Sequence, residues 1–323
     1  MSADLRVRVE AIVDTGPAGE AGAVRVFDLR PIDGHSLPAF EAGAHIDIVV
    51  REGLVRQYSL FNAPDETHRY MVAVALDAAT RGGSKHLHEW VECGDILIVS
   101  APRCHFHLVE DAPFSVFIAG GIGVTPLWAM AQRLLALGQP FSFHYGARKA
   151  ATAPLLDTLR ETLDTNGIAF ETAFEADGGA RLDLARIIAN APEGTHFYAC
   201  GPRGMLDAYV AAGAVRPSET IHLERFAGAS EAVTEGGFEV ELARTGGAFT
   251  VPAGQTILET LKSHGINVPH SCAEGICGAC ECRVIEGTPD HRDSVLTDAE
   301  KASGQTMMVC CSGAKSSRLV LDL

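Results

Sequence analysis

The chain has 323 residues, 47% of them hydrophobic and 21% charged, a balance that excludes a disordered chain and leaves room for two or three domains of ordinary size. A formal net charge of −15 argues against a nucleic-acid or anionic-membrane partner, because phosphate recognition needs a basic patch and none is evident. No apolar run reaches the roughly 18 residues of a spanning helix, and the start MSADLRVRVEAIVDTG has no apolar h-region, so the expectation is a cytoplasmic protein with reduced thiols.

From Leu5 to about Arg103 the chain reads as six short strands: LRVRVEAIV, AVRVFDLR, AHIDIVV, RQYSLF, RYMVAVAL and DILIVS. Alternation and β-branched enrichment between Gly, Pro and Asp turns predict an antiparallel β-barrel. On the fourth strand, Arg56, Gln57, Tyr58 and Ser59 stand in a row. A period of two puts Arg56 and Tyr58 on one face and Gln57 and Ser59 on the other, so one face can hold both a phosphate and an aromatic ring. Arg81, Gly82, Gly83 and Ser84 then precede a helix, SKHLHEWV, whose free N–H groups would meet an anion. Either motif alone is weak, and an ordinary strand explains Arg-x-Tyr-Ser about as well. Their pairing points to a flavin. Cys104-His105-Phe106-His107 invites a metal reading, but adjacent positions on a connecting segment rarely converge on a metal without distant partners, so these are read as loop residues.

After Arg103 the rhythm changes to strand, Gly-rich turn, helix, which predicts an α/β unit with a parallel sheet. Gly120, Gly121, Gly123, Thr125 and Pro126 lie between the strand FSVFIAGG and the helix GVTPLWAMAQRLLALG. There a backbone can approach a pyrophosphate closely, and Thr125 is available at the helix start. A purely structural strand-to-helix turn would account for this motif by itself. Cys200, Gly201 and Pro202 close a later strand, the end of an open sheet at which ligands bind. A free Cys there can equally be a small buried hydrophobe. The stretch AGASEAVTEGG has no period and reads as a linker.

The last quarter carries Cys272, Cys277 and Cys280 in a Cys-x4-Cys-x2-Cys pattern, with Cys310 following after 29 intervening residues. That is the spacing of a plant-type [2Fe–2S] cluster. Three thiolates on one tight loop wrap the cluster and a distant fourth closes the far iron. A structural zinc site also uses closely spaced Cys, normally as two Cys-x2-Cys pairs rather than this asymmetric loop. The spacing selects Cys310 as the ligand over its neighbour Cys311.

Taken in order, these motifs, together with TPDHRDSVLTDAEK and MMVCCSGAKSSRLVLDL, resemble the phthalate dioxygenase reductase and vanillate O-demethylase reductase family along nearly the whole chain. The resemblance implies a multidomain chain: an FMN-binding antiparallel β-barrel over 1–104, an NAD-binding α/β domain with a parallel sheet over 105–226, a linker over 227–237 and an α+β β-grasp ferredoxin over 238–323. It implies FMN held by Arg56, Gln57, Tyr58, Ser59, Arg81, Gly82, Gly83 and Ser84, with the backbone of Ala73, Val74 and Ala75 at the ring edge and Phe226 covering it. The short interval from Ser84 to Val91 leaves little room to hold the adenosine of FAD. It further implies NADH at Gly120, Gly121, Gly123, Thr125, Pro126, Cys200, Gly201 and Pro202, with Tyr58, Ser59, Cys200 and Phe226 closest to the chemistry. Glu175 and Asp177 favour NADH, whereas Arg148 and Lys149 could hold the 2′-phosphate of NADPH. The chain departs from the family pattern at Ala75, where a long basic side chain is expected, and at Cys311, which doubles the last cysteine. A hydride carries two electrons and a cluster accepts one, so the modules together imply an electron-splitting reductase, expected to be a monomer, that serves a terminal Rieske-type oxygenase. A cytochrome or diiron monooxygenase as acceptor, or a redox-sensing module, would leave the same motifs.

Overall fold

The computed structural model describes residues 5–15, 22–51, 54–76, 82–226, 232–233, 235–270 and 272–323. Two compact units emerge, Met1–Glu224 and Arg225–Leu323.

In the first unit, β1 (Leu5–Thr15), β2 (Val24–Pro31), β3 (His45–Arg51), β4 (Leu54–Ser59), β5 (Tyr70–Ala75) and β6 (Ile96–Val99) make an antiparallel sheet in the order β4-β3-β6-β1-β2-β5. All six expected strands are present. Alternation sets the inner face: Val7, Val9, Phe27, Leu29, Ile46, Ile48, Val72 and Val74 are buried together. Helix α1 (Gly83–Glu89) follows β5, and the His88 imidazole bonds the Val74 carbonyl at 2.8 Å, tying the helix to that strand.

The same unit continues with β7 (Phe114–Gly120), α2 (Val124–Leu137), β8 (Phe141–Ala147), α3 (Leu156–Thr165), β9 (Ala169–Phe174), α4 (Leu184–Asn190), β10 (Thr195–Cys200), α5 (Arg203–Gly213) and β11 (Ile221–Glu224). The strands form a parallel sheet in the order β11-β10-β7-β8-β9. The barrel and this α/β half share a core. Val24, Val26, Phe61, Ala73 and Phe106 from the barrel side pack with Phe117, Trp128 and Met130 from the α/β side. Residues on the outer face of β2 and β5 are therefore covered, which is why the two halves form one unit.

The second unit holds β12 (Phe238–Leu242), β13 (Ala248–Val251), α6 (Ile257–Ser263), β14 (Glu281–Glu286), β15 (Pro289–Asp290), α7 (Asp298–Ser303), β16 (Thr306–Met308), β17 (Gly313–Ala314) and β18 (Arg318–Leu321). Its main sheet runs β13-β12-β18-β14-β16, with only β12–β18 parallel, and β15 pairs with β17. Thr256 and Glu259 exchange hydrogen bonds in a capping box that starts α6, satisfying orphan N–H groups. The described end of the expected linker is built into this unit: Val233 donates its N–H to the Cys311 carbonyl at 2.8 Å. The rest of 227–231, and residue 234, lies outside the described residues.

Candidate electron-transfer site

At the barrel, the two weak motifs come together. A methyl group on Gly83 would fall 2.7 Å from Arg56 Cγ and 2.9 Å from its Nε, so the Arg56 side chain lies directly over the Gly-Gly-Ser turn. Gly82 caps α1 in the left-handed region at φ 96°, which glycine adopts without strain. Arg56 also donates to its neighbour's carbonyl, Val55 O, at 2.8 Å. Arg51, which the sequence reading passed over, brings its guanidinium near Gly82. The only signal for it was a second arginine five residues before Arg56. With seven residues, α1 is too short for its dipole to add much, so the charge at this turn is carried by the two guanidinium groups. That donor set fits a terminal phosphate. Arg81 lies outside the described residues.

Along β4, Tyr58 packs against the barrel core and burial pushes its phenol upward from the usual range. Ser59 is buried, and Gln57 donates its amide to Asp47 at 3.0 Å, away from Arg56. On β5, Val74 faces the barrel core, while Ala73 and Ala75 face the core shared with the α/β half. Phe226 falls in the second unit and is 38% exposed.

At the carboxyl edge of the parallel sheet, the two glycine motifs are in backbone contact. A methyl on Gly123 would sit 2.3 Å from Cys200 O and 2.7 Å from Gly201 N, and one on Gly120 would sit 2.6 Å from Pro202 Cδ. Gly121 has φ 53°, and a methyl there would meet nothing within 4 Å. This is a pinched pair of loops with an open lip, a shape that lets a pyrophosphate reach main-chain N–H groups. The Tyr145 hydroxyl holds the lip from behind, donating toward Gly121 O at 3.1 Å and Pro154 O at 3.0 Å. Thr125 differs from expectation: it is buried and donates its hydroxyl to Ile122 O at 3.0 Å, bracing the turn, so only its lone pairs remain for a ligand. Because main-chain atoms at this contact cannot swing away, Gly123→Ala should cost ~1–3 kcal/mol of stability. A denaturant titration checks the cost, and affinity for a dinucleotide at this lip should fall with it.

A further group emerges from β11. The Cys200 thiol points at Glu224 Oε2, 4.0 Å away, at the matched ends of β10 and β11. Burial raises Glu224 to about 8, and burial followed by the charge of Glu224 holds the Cys200 thiol well above its usual range. Desolvation therefore biases the Glu224 carboxyl toward its protonated form at neutral pH. The sequence signal was slight, a carboxylate ending the apolar strand IHLE. An ordinary glutamate titrates near 4.5 and Glu224 near 8, so between these values the folded chain keeps a proton that the unfolded chain has released. Rising pH then removes stability across that window. Thermal melts should show Tm falling through it in the parent protein and falling less in Glu224→Gln; superimposable profiles would refute the assignment.

Beside the α/β lip, Asp177 accepts the Ala150 N–H at 2.8 Å, and Glu175 accepts from Arg181. The two acids thus stand next to the Arg148–Ala150 turn, to which Ala176 N is bonded through Arg148 O.

In the second unit the four cysteines are all buried. Their side chains pair off, Cys272 with Cys277 and Cys280 with Cys310. Two thiol pairs, three members from one loop, match the ligand needs of two irons. The bond from Cys277, aided by backbone amides of Ile276, Cys277 and Gly275, pulls the Cys272 thiol below its usual range against the opposing effect of burial. Glu274 N–H also reaches Cys272 Sγ at 3.3 Å. N–H groups aimed at sulfur suit thiolates that bind metal. Gly275 and Gly278 both have φ 71°. Cys311 belongs to neither pair, although its side chain also bonds with that of Cys310. Its sulfur lies where a methyl on Gly275 would be 2.4 Å away, and its thiol donates weakly to Met308 O at 3.8 Å.

Comparison with known proteins agrees with this layout. The 2Fe-2S iron-sulfur cluster binding domain family matches residues 240–315, and the oxidoreductase NAD-binding domain family matches residues 117–211. Phenoxybenzoate dioxygenase subunit beta of Ectopseudomonas oleovorans is 48% identical, covering 99% of this chain and 98% of its own length. Vanillate O-demethylase oxidoreductase of a Pseudomonas strain is 43% identical over 90% of this chain and 92% of its own. Among solved structures, phthalate dioxygenase reductase, described as a modular structure for electron transfer from pyridine nucleotides to [2Fe–2S], superposes with a TM-score of 0.74 at 35% identity, covering 99% of this chain and 98% of that one.

Proposed function

The chain belongs to the oxygenase reductase family that includes phthalate dioxygenase reductase and vanillate O-demethylase oxidoreductase, and from that premise we propose that it takes electrons from NADH and delivers them singly to a terminal Rieske-type oxygenase. The observation that carries the reading is one chain holding both a pinched dinucleotide lip joined to a barrel with a phosphate-type turn and a fold with two buried thiol pairs. When bound, FMN and the [2Fe–2S] cluster convert a two-electron hydride donor into one-electron deliveries.

The residues divide this work. Arg56, with Arg51, Gly82, Gly83 and Ser84, anchors the flavin phosphate. Tyr58, Ser59 and the Ala73–Ala75 backbone flank its ring. Gly120, Gly121, Gly123, Thr125, Pro126, Cys200, Gly201 and Pro202 seat the nicotinamide nucleotide. The acids Glu175 and Asp177, beside the turn after β8, favour a ribose hydroxyl over a 2′-phosphate. Glu224 holds a proton behind Cys200 and keeps negative charge out of that pocket at neutral pH. Cys272, Cys277, Cys280 and Cys310 hold the cluster. In this reading the working modules are 1–104 for FMN, 105–226 for NADH and 238–323 for the cluster. Among the described residues no helix is long and apolar enough to cross a membrane, and the proposed partner is a protein surface.

Reconstitution tests the proposal. Holoprotein mixed with Rieske oxygenases of the aromatic-acid, O-demethylase and quaternary-amine classes should support NADH-dependent product formation with at least one of them, at a rate above that with ferredoxin-free controls. Vigorous reduction of cytochrome c or of a diiron monooxygenase, with no turnover by any Rieske enzyme, would overturn the partner class while leaving the reductase activity in place.

A further inference from the structure

The Cys104-His105-Phe106-His107 run lacked a distant partner in the sequence, and the fold supplies one. Glu41, in the loop between β2 and β3, comes up against it: His107 Nδ1 lies 3.2 Å from Glu41 Oε2. One donor atom each from Glu41, Cys104 and His107 lies within 4.8 Å of the others. We propose that these three residues form an accessible binding site for a thiophilic divalent cation of the zinc class, separate from the cluster cysteines.

The geometry favours this over a chance grouping. Tetrahedral zinc, with bonds of about 2.0–2.3 Å to nitrogen, oxygen and sulfur, sets its donors about 3.3–3.6 Å apart. The Glu41–His107 edge, at 3.2 Å, is already close to that length, and with all three donor atoms within 4.8 Å of one another closing the sulfur onto it needs a shift of ~1.3 Å at most. Sulfur, nitrogen and carboxylate oxygen are all zinc donors, and three protein ligands leave a fourth position for water. The two segments are held together before any ion arrives. His45 and Arg103 exchange both backbone hydrogen bonds, at 2.9 and 3.0 Å, and Gly43, at φ 93°, lets its loop approach Phe106 so closely that a methyl there would lie 2.2 Å from Phe106 O. The Cys104 thiol donates to Phe106 O at 3.4 Å and Ala42 O at 3.8 Å, and its flank packs on the barrel core. Access is open: Glu41, Cys104 and His107 line a hollow of about 380 Å³, and the Glu41 and His107 side chains are 74% and 67% exposed. The nearby positive charge of Arg103 is paired with Asp47 at 2.8 Å. A bound cation would clip the Glu41 loop to the segment running from β6 to β7, which joins the barrel to the α/β half.

The test uses full-length holoprotein with its iron content verified. Zinc is titrated against a chromophoric chelator in the parent and in Glu41→Gln, Cys104→Ser, His107→Ala and Cys93→Ser. In parallel, alkylation of Cys104 by N-ethylmaleimide is mapped by mass spectrometry with and without zinc. The parent and Cys93→Ser should bind one zinc with iron retained. His107→Ala and Cys104→Ser should weaken it by at least the ~10-fold that even an outer-shell change costs, and zinc should shield Cys104 until EDTA is added. No binding by the parent, equal binding by His107→Ala, or loss in Cys93→Ser instead, the exposed thiol being the alternative ligand, would each overturn the site.

Discussion

Cys310→Ser should purify without the visible absorption of an iron–sulfur cluster, whereas Cys311→Ser should keep it. Both thiols are equally buried, at 2% exposure, so burial does not tell them apart. Direction does. Cys310 bonds with Cys280 across the loop, while Cys311 turns its sulfur onto Gly275 and toward Met308 O. Serine at 310 would leave one iron with a harder, poorer ligand in a site whose other three donors are soft thiolates. Serine at 311 would alter the contacts with Gly275, Met308 O and the Cys310 side chain while leaving the four paired thiols in place. Iron analysis of the two variants settles the matter, and the reverse pattern, cluster lost at 311 and kept at 310, would show that the fourth ligand has been misassigned. Gly275→Ala belongs to the same prediction. It forces φ 71° on an alanine and drives a methyl to within 2.4 Å of Cys311 Sγ, so it should lower cluster occupancy without removing any ligand.

Arg56→Ala should weaken FMN binding by about 100-fold. The Arg56 side chain lies on the Gly83 turn, with Nη1 bonded to Val55 O at 2.8 Å, and charge-assisted hydrogen bonds from the rest of its fork to phosphate oxygens are worth ~1.5–3 kcal/mol each. Losing ~3 kcal/mol is two factors of ten in affinity. Arg56→Lys should recover only part of this, because an ammonium is a point charge without the planar fork. Titration of flavin-free protein with FMN, followed by fluorescence, gives the affinities, and iron content should not move because the cluster cysteines belong to the other compact unit. Binding by Arg56→Ala within about 2-fold of the parent would mean that the phosphate is anchored elsewhere, with Arg51 the next residue to replace.

Much of this architecture is legible without coordinates because it is written in short-range patterns. Alternation along LRVRVEAIV and AVRVFDLR is enough to place β1 and β2, since a strand with one buried face must repeat every two residues. The Thr256-to-Glu259 spacing marks the start of α6 for an equally local reason. The cysteine loop is the clearest case, because three ligands on nine residues leave few geometries other than wrapping a small metal group. What was not legible depends on which distant surfaces meet. Val24 and Ala73 alternate like any strand residue, and nothing in their neighbours says that Trp128 covers them. Three separate modules were expected, and the shared core makes the first two compact as one. Glu224 has no motif, since its raised pKa comes from burial at the end of β11.

The amino-acid sequence by itself determined the succession of strand-rich, α/β and cysteine-rich segments and singled out the four cysteines proposed to hold the cluster, because both are patterns along one stretch of chain. Only the tertiary structure decided which groups work together: Arg56 with Gly83, Gly123 with Cys200, Cys200 with Glu224 and Glu41 with His107. Each of these pairs joins residues from different segments. Such contacts arise from the packing of whole sheets and loops, in which side-chain reach, burial and backbone approach are set by every element at once.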